Sequence, residues 1–259
     1  IGETLASAGD GGTVLLWHKP GIQEGEPTTN FEDATAQDDG SDPQERWTVR
    51  SMLRAADTED IYDLDFSPCG GFLIVGLTDN SAQIWQISGN TNNKMVKVLK
   101  DHKHFVQGVC WDPMNQVVVT QSCDRTVKVW QVKSRASSSA LTFTAFNKFS
   151  KSGSLFQDES CVSFFRRLSF SPDGSLLFMP VGLSKEGKPA LHITARSHLN
   201  QPTPTFTISC FEKPVIAVKC SPIFYERCNE DTQLLSLPYR MIVAVMTMDS
   251  VYLFDTEHS

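Results

Sequence analysis

The sequence predicts an all-β protein assembled from one repeated unit. Three observations carry that expectation. First, Asp65-Phe66-Ser67-Pro68 returns as Cys110-Trp111-Asp112-Pro113, and the run from Asp79 to Trp85 returns as the run from Asp124 to Trp130. Pro68 to Pro113, Asp79 to Asp124 and Trp85 to Trp130 are each 45 residues apart. Second, each copy divides into short apolar or alternating runs separated by polar turns, the pattern of strands. Third, helical periodicity is scarce, while 16 Gly and 13 Pro in 259 residues suit many short strands and turns. A period of 45 with several strands and a closing Trp fits one blade of a β-propeller.

The second copy justifies the unit residue by residue. Val106–Trp111 is apolar and stops at Asp-Pro, a strand ended by a turn. Residues 116–121 are short and β-branched, a second strand. Ser122-Cys123-Asp124-Arg125 is a polar turn, and Thr126–Val132 alternates as a third strand with Trp130 inward. In WD-repeat propellers a His, a Ser or Thr, the turn Asp and the Trp form a hydrogen-bonded chain. The matching residues are His102, Thr120 or Ser122, Asp124 and Trp130, with Asp79 and Trp85 in the earlier copy. A His–Asp pair invites a catalytic reading. The structural one is preferred, because the pair belongs to a repeat and ends on an indole N–H that needs an acceptor.

The chain can bury a large core as one domain over residues 1–259. Its formal charge is -7, which argues against direct, nonspecific DNA binding and suits basic protein partners. Seven Cys show no zinc spacing. Cys110, Cys161 and Cys220 lie in or beside apolar runs, as buried small hydrophobes do, and the compartment reads as reducing. No apolar run approaches the roughly 20 residues of a membrane span, and no secretory leader is visible.

In order, residues 1–17 read as the last part of a blade, with Gly11 where the turn Asp belongs and Trp17 at the end. Residues 18–46 form an insertion with Glu24, Glu26, Glu32, Asp33, Asp38, Asp39, Asp42 and Glu45 and no cation between Gly21 and Glu45. Such a segment cannot bury enough apolar area to fold alone. It reads as a solvated loop or as a lure for a basic partner such as a histone. Trp47–Ile87 is a full repeat opening on its outer strand, with Ala56-Asp57 in place of the usual Gly-His. The outer strand of the next blade is expected within Met95–Leu99. Residues 134–160 form a Ser/Lys-rich insertion, part of which can pair as an outer strand.

A degenerate repeat starts at Cys161 and continues through Leu176–Pro180 and Leu191–Ala195, with an outer strand at Phe206–Ser209. A last repeat follows through Ile216–Cys220, Arg240–Met246 and Val251–Asp255, with Asp249 as turn acid and Phe254 in the Trp place. Loop insertions are expected at Leu183–Pro189 and Phe224–Pro238. The count is one partial blade plus four. A closed propeller commonly has seven, about 7 × 45 residues, so the sequence reads as an incomplete propeller.

Several segments are more specific than the repeat. His102-Lys103 with Val106–Val109, Ser163-Phe164-Phe165-Arg166-Arg167-Leu168-Ser169-Phe170, Ser236-Leu237-Pro238-Tyr239-Arg240 and the acidic insertion ending in Arg46-Trp47-Thr48-Val49 resemble the middle, WD-repeat subunits of chromatin assembly factor 1. The resemblance covers nearly the whole chain. The HIRA-type subunits of a replication-independent histone chaperone share some of these features.

The resemblance implies a nuclear, non-enzymatic scaffold in a histone chaperone that deposits H3–H4 on newly replicated DNA. It implies binding to the large subunit of chromatin assembly factor 1 and contact with histones H3–H4, directly or through that subunit. It implies no cofactor, no membrane and no sequence-specific nucleic acid. A general adaptor propeller, such as a substrate receptor of a ubiquitin ligase, is the alternative of another class.

Candidate partner-binding residues each have a plainer reading. Phe164 and Phe165 are expected to begin a strand, one facing the core and the other outward. Arg166 and Arg167 alternate likewise. An outward aromatic beside Arg has the composition of an interface hot spot. Tyr239 and Arg240 carry the same two readings. His18, His104, His192, His198 and His258 sit in no metal spacing and read as surface or turn residues. Catalysis has no motif: there is no Gly-x-Ser-x-Gly, no His-Glu-x-x-His and no Gly-rich loop opening a helix.

Overall fold

The computed structural model describes residues 4–19, 47–55, 59–88, 92–134, 141–150, 155–227 and 237–257. The acidic run Glu24, Glu26, Glu32, Asp33, Asp38, Asp39, Asp42 and Glu45 therefore lies outside the described residues, as do Ala56-Asp57 and His258.

Among the described residues, eighteen strands form five antiparallel sheets in chain order. The first sheet holds β1 (Thr4–Ala8), β2 (Thr13–His18) and β3 (Thr48–Arg54). The second holds β4 (Ile61–Phe66), β5 (Phe72–Leu77), β6 (Ser81–Gln86) and β7 (Lys94–Lys100). The third holds β8 (Val106–Trp111), β9 (Val117–Ser122), β10 (Thr126–Ser134) and β11 (Leu141–Phe149). The fourth holds β12 (Ser169–Phe170), β13 (Leu176–Leu183), β14 (Pro189–Ala195) and β15 (Phe206–Ile208). The fifth holds β16 (Val215–Cys220), β17 (Ile242–Thr247) and β18 (Val251–Asp255). Each is a meander of neighbouring strands, the blade pattern of a WD-repeat β-propeller.

The repeat has a backbone signature as well as a sequence one. Left-handed residues recur at Gly70 and Asn115, and again at Asn80 and Arg125, each pair one period of 45 apart. Glycine or asparagine accepts that conformation at low steric cost. A β-bulge falls immediately before Trp17, Trp85 and Trp130 in three successive blades. The extra residue lies on the outer strand each time, at Arg50, Val96 and Phe146, and a bulged strand bends at that point.

The core lies in layers between blades. Ile74, Ala82, Ile84 and Leu99 of the second sheet pack against Val109, Trp111, Val118, Trp130 and Phe143 of the third. Phe149, Val119 and Val129 meet Phe156, Phe170, Leu177 and Met179 on the other side. The third sheet is thus covered on both faces, and every residue of β8 and β9 is buried. That is why Val117-Val118-Val119 runs apolar without alternation. The terminal sheets are covered on one face, and β1 is largely exposed. Among the described residues the first sheet holds three strands, β1 to β3, and the fifth holds three, β16 to β18, where the middle sheets hold four.

Two expectations need correction, and two are sharpened. The outer strands belong to the sheet before, not after: β3 pairs β2, and β7 pairs β6. The hairpin connection from β6 to β7 is short, so β7 folds back on its immediate predecessor. Part of the 134–160 segment pairs as an outer strand, as expected: β10 extends to Ser134, and β11 pairs with it and supplies Phe143 and Phe149 to the core. The Leu183–Pro189 insertion is a tight turn whose ends pair with each other.

The second correction is the larger. Phe164 and Phe165 do not begin a strand. The inner strand of the fourth sheet shrinks to Ser169–Phe170. Its place beside the far half of β13 is taken by residues 155–157, through the Phe156–Gly182 bridge and the Gln157 N–H donating to the Val181 carbonyl at 2.9 Å. The chain ahead of β12 pairs sideways instead. The Arg166 N–H donates to the Gln107 carbonyl at 2.8 Å, and the Arg167 N–H donates to the Ile216 carbonyl at 3.0 Å.

Candidate functional site

Two groups of residues are candidates: the chain of polar side chains inside a blade, and the ends of the inner strands around the axis. In the third blade His102 Nδ1 lies 3.0 Å from Asp124 Oδ2, and Nε2 lies 2.8 Å from Thr120 Oγ1. The Trp130 indole donates to the same Thr120 oxygen at 3.1 Å. The Thr126 hydroxyl donates to Asp124 at 2.6 Å, and the Lys103 N–H donates to it at 2.9 Å. Burial alone would raise the Asp124 carboxyl. The His102 contact, Thr126 and the Lys103 N–H outweigh it and hold the group well below the usual carboxylate range. Thr120, not Ser122, is the middle member; the Ser122 hydroxyl donates to the His104 carbonyl at 2.8 Å. The polar atoms of this chain bond to one another, so it presents no nucleophile or base to a cleft.

The other blades satisfy their tryptophans differently. The Trp85 indole donates to Gln83 Oε1 at 3.1 Å, and Asp79 accepts from the Ser81 N–H at 2.9 Å in its own turn. The Trp17 indole donates to Ser7 Oγ at 2.8 Å. His192, which the sequence placed at the surface, is buried in β14. It lies 2.9 Å from Thr207 Oγ1 and 2.9 Å from the Leu155 carbonyl, with its pKa lowered by burial. Its missed signal is the apolar setting of Leu191-His192-Ile193. Among the described residues no cluster of three or more His, Cys, Asp or Glu side chains is placed to hold a metal ion, and no helix is long and apolar enough to cross a membrane.

The inner strands surround a cavity of about 680 Å³ whose wall includes Tyr62, Asp63, Asp65, Cys110, Arg167 and Lys219. Asp63 and Asp65 lie on the same side of β4. They accept the Val109 N–H at 3.0 Å and the Trp111 N–H at 2.7 Å, satisfying the inner edge of the next blade. Burial lifts the Asp63 carboxyl to about 7 against the opposing pull of the Val109 N–H and Arg167. Burial likewise raises Asp65.

At one mouth of this cavity stand four of the candidate partner-binding residues, Phe164, Phe165, Arg166 and Arg167, of which Arg167 lines the cavity. Arg166 is fully buried, so it is an interior cation and not a contact surface. Its Nε donates to Gln107 Oε1 at 2.6 Å, and its other nitrogens donate to the Gln157 and Asp158 carbonyls. The close approach needs Gly108: a Cβ there would lie 1.9 Å from the Arg166 carbonyl oxygen. Arg167 is exposed, stacks over Phe165 at 4.4 Å and pairs with Asp63 at 3.3 Å. Neither Phe164 nor Phe165 enters the core. Phe165 is half-buried, and Phe164 is 76% exposed, edge-on to Tyr62. Leaving the strand removed the alternation that would have turned one inward.

Tyr239 and Arg240 are not part of this face. They lie at the opposite ends of the inner strands, beside the turns that carry Pro172-Asp173 and Pro222. The Tyr239 hydroxyl donates to Asp173, and burial followed by that carboxylate pushes the phenol to about 12. Arg240 pairs with Asp255 at 3.5 Å and covers the Tyr225 ring at 5.7 Å.

The arrangement defines a class: a WD-repeat β-propeller with a hydrogen-bonded His–Thr–Asp–Trp chain buried in its third blade and exposed side chains at the blade ends. The C-terminal WD40 domain of Sif2 shares this fold, with a TM-score of 0.54 at 13% identity, covering 99% of this chain and 54% of that one. The family profile described as the CAF1B/HIR1 beta-propeller domain matches residues 1–259, and the chain belongs to that family. Relatives named as subunits of chromatin assembly factor 1 match it end to end. The one from Gallus gallus is 36% identical over 277 residues, covering 100% of this chain and 47% of that protein. The one from Saccharomyces cerevisiae is 32% identical, covering 99% and 59%. Protein HIR1 of Yarrowia lipolytica is 33% identical over 67% of the chain and 15% of its own length. The chain spans about half the length of the curated relatives it matches over its whole extent.

Proposed function

We propose that this chain is the scaffold propeller of a histone chaperone, acting in the nucleus and without catalysis of its own. In this reading it joins the large subunit of chromatin assembly factor 1 and assists deposition of H3–H4 on newly replicated DNA. The observation that carries the reading is the family match along the full chain. Two physical points support it. The His–Asp pair is consumed inside a blade, and the charge of -7 suits basic partners more than DNA. Relatives named for chromatin assembly factor 1 align end to end, whereas HIR1 aligns over about two thirds, which favours the replication-coupled role over a HIRA-type one.

The test is size-exclusion co-elution with H3–H4, alone and with the large subunit, across a salt series. Joining the large subunit and carrying histones in that complex supports the reading. Histone binding by this chain alone, lost as salt rises, assigns a direct electrostatic contact. Failure to join either, by a folded sample, rejects the chaperone reading in favour of a general adaptor.

A further inference from the structure

Three aromatic side chains from successive blades meet at one mouth of the axial cavity. Tyr62 is the second residue of β4, Phe105 precedes β8, and Phe164 precedes β12. The Tyr62 ring lies edge-on to Phe105 at 6.2 Å and to Phe164 at 6.1 Å. Phe105 is 37% exposed and Phe164 is 76% exposed. Exposed aromatics are usually mobile, but this loop is pinned. The Gln107 side-chain amide donates to the Ser163 carbonyl at 2.8 Å, and the Ser163 hydroxyl donates to the Phe165 carbonyl at 2.7 Å. The shelf is formed before any partner arrives, so docking costs little ordering entropy.

Its charge is lopsided. On the Tyr62 side stand Asp10, Glu59 and Asp60. Asp60 accepts the Gly11 N–H at 3.3 Å, and Glu59 accepts the Thr78 hydroxyl at 2.6 Å. Asp60 is two residues from Tyr62, and its bond to Gly11 brings Asp10, the neighbour of Gly11, to the same end of β4. The cations on the other side are engaged: Arg167 with Asp63 at 3.3 Å, and Arg125 with Asp158 at 2.6 Å. Lys103 is exposed at the Phe105 end, so a positive guest is favoured at the Tyr62 end.

We propose that this shelf docks a basic peptide segment of a protein partner, with a Lys or Arg side chain over Tyr62 and Phe164 directed toward Asp10 and Asp60. A cation over an aromatic face gains from the ring quadrupole, and the flanking acids add attraction and orientation. An apolar neighbour in the peptide covers Phe105. A basic segment from any partner meets this description, so peptide binding can fail while co-elution with H3–H4 and the large subunit succeeds, and the reverse.

The probe is a short fluorescent peptide of Arg, Lys, Ala and Thr, titrated by anisotropy against the protein. A control peptide carries Glu at each cationic position. Since any acidic protein attracts cations, the deciding variant is Phe164→Ala, which leaves the charge unchanged. It should weaken the basic peptide roughly fivefold or more. Phe164→Leu keeps apolar bulk without the ring and should weaken it similarly. Asp10→Lys should weaken it at low salt, with the effect fading as salt rises. The urea midpoint of each variant checks that the fold is retained. Equal affinity for the acidic control, no binding of the basic peptide at low salt, or unchanged affinity in folded Phe164→Ala would each overturn the proposal.

Discussion

Gly108→Ala tests how the mouth of the cavity is built. A Cβ at position 108 would sit 1.9 Å from the Arg166 carbonyl oxygen and 2.9 Å from its carbon. Carbon and oxygen tolerate about 3.3 Å, so the two segments must part by about 1.4 Å. Both partners are backbone, and no side-chain rotation relieves the clash. Parting them stretches the 2.8 Å bond from the Arg166 N–H to Gln107 and unseats the 2.6 Å bond from its guanidinium to Gln107 Oε1. A neutral bond contributes about 1 kcal/mol and one to a charge about 1.5–3. With the repacking around a buried cation, the loss is about 3–5 kcal/mol. Gly76→Ala meets the Val106 carbonyl at 2.8 Å and should cost less, while Gly9→Ala meets nothing within 4 Å and should be close to neutral. Urea unfolding of the three variants gives the comparison. A Gly108→Ala cost below about 1 kcal/mol, or one no larger than that of Gly76→Ala, would refute the close-approach argument.

Thr120→Val removes the oxygen shared by Trp130 and His102 and should cost about 2–4 kcal/mol, read by the urea midpoint, because two buried groups lose their partner. Asp124→Asn should destabilise at neutral pH. The Asp124 carboxyl is held below its ordinary range, so its contribution is present above the unfolded value and lost only as pH falls through the folded one; thermal melts of the two proteins should converge only in strong acid. Asp63 runs the other way. Lifted from 3.8 to about 7, the folded state holds a proton that the unfolded chain has released. Stability attributable to Asp63 should therefore fall as pH rises across that window, and Asp63→Asn should flatten the slope. Carboxyl NMR should place its midpoint near 7, and an unshifted midpoint, about 4, would contradict the burial argument.

What was legible in the sequence is what the repeat encodes locally. The strand-and-turn pattern located β8 and β18 to the residue, and the 45-residue spacing identified the turns at Asp79 and Asp124 whose next residues are left-handed. Membership of outer strands was not legible, because a sequence repeat and a sheet are offset by one strand and only pairing reveals it. The segment ahead of β12 defeated alternation for a similar reason. Phe164-Phe165-Arg166-Arg167 reads as a strand, but residues 155–157 already hold that edge of β13. The aromatic shelf could not be read at all, since Tyr62, Phe105 and Phe164 come together only when three blades pack side by side. Arg166 looked like a contact residue, and its burial depends on acceptors at Gln107, Gln157 and Asp158 that no local pattern brings together.

The most direct test of the scaffold reading is complementation of nucleosome assembly. Extract depleted of chromatin assembly factor 1 would be supplied with the large subunit, H3–H4 and this protein, and supercoiling measured on replicating and non-replicating plasmids. A scaffold of replication-coupled assembly should restore assembly on replicated DNA alone. Assembly on both templates alike, or none despite a folded protein, would contradict that reading.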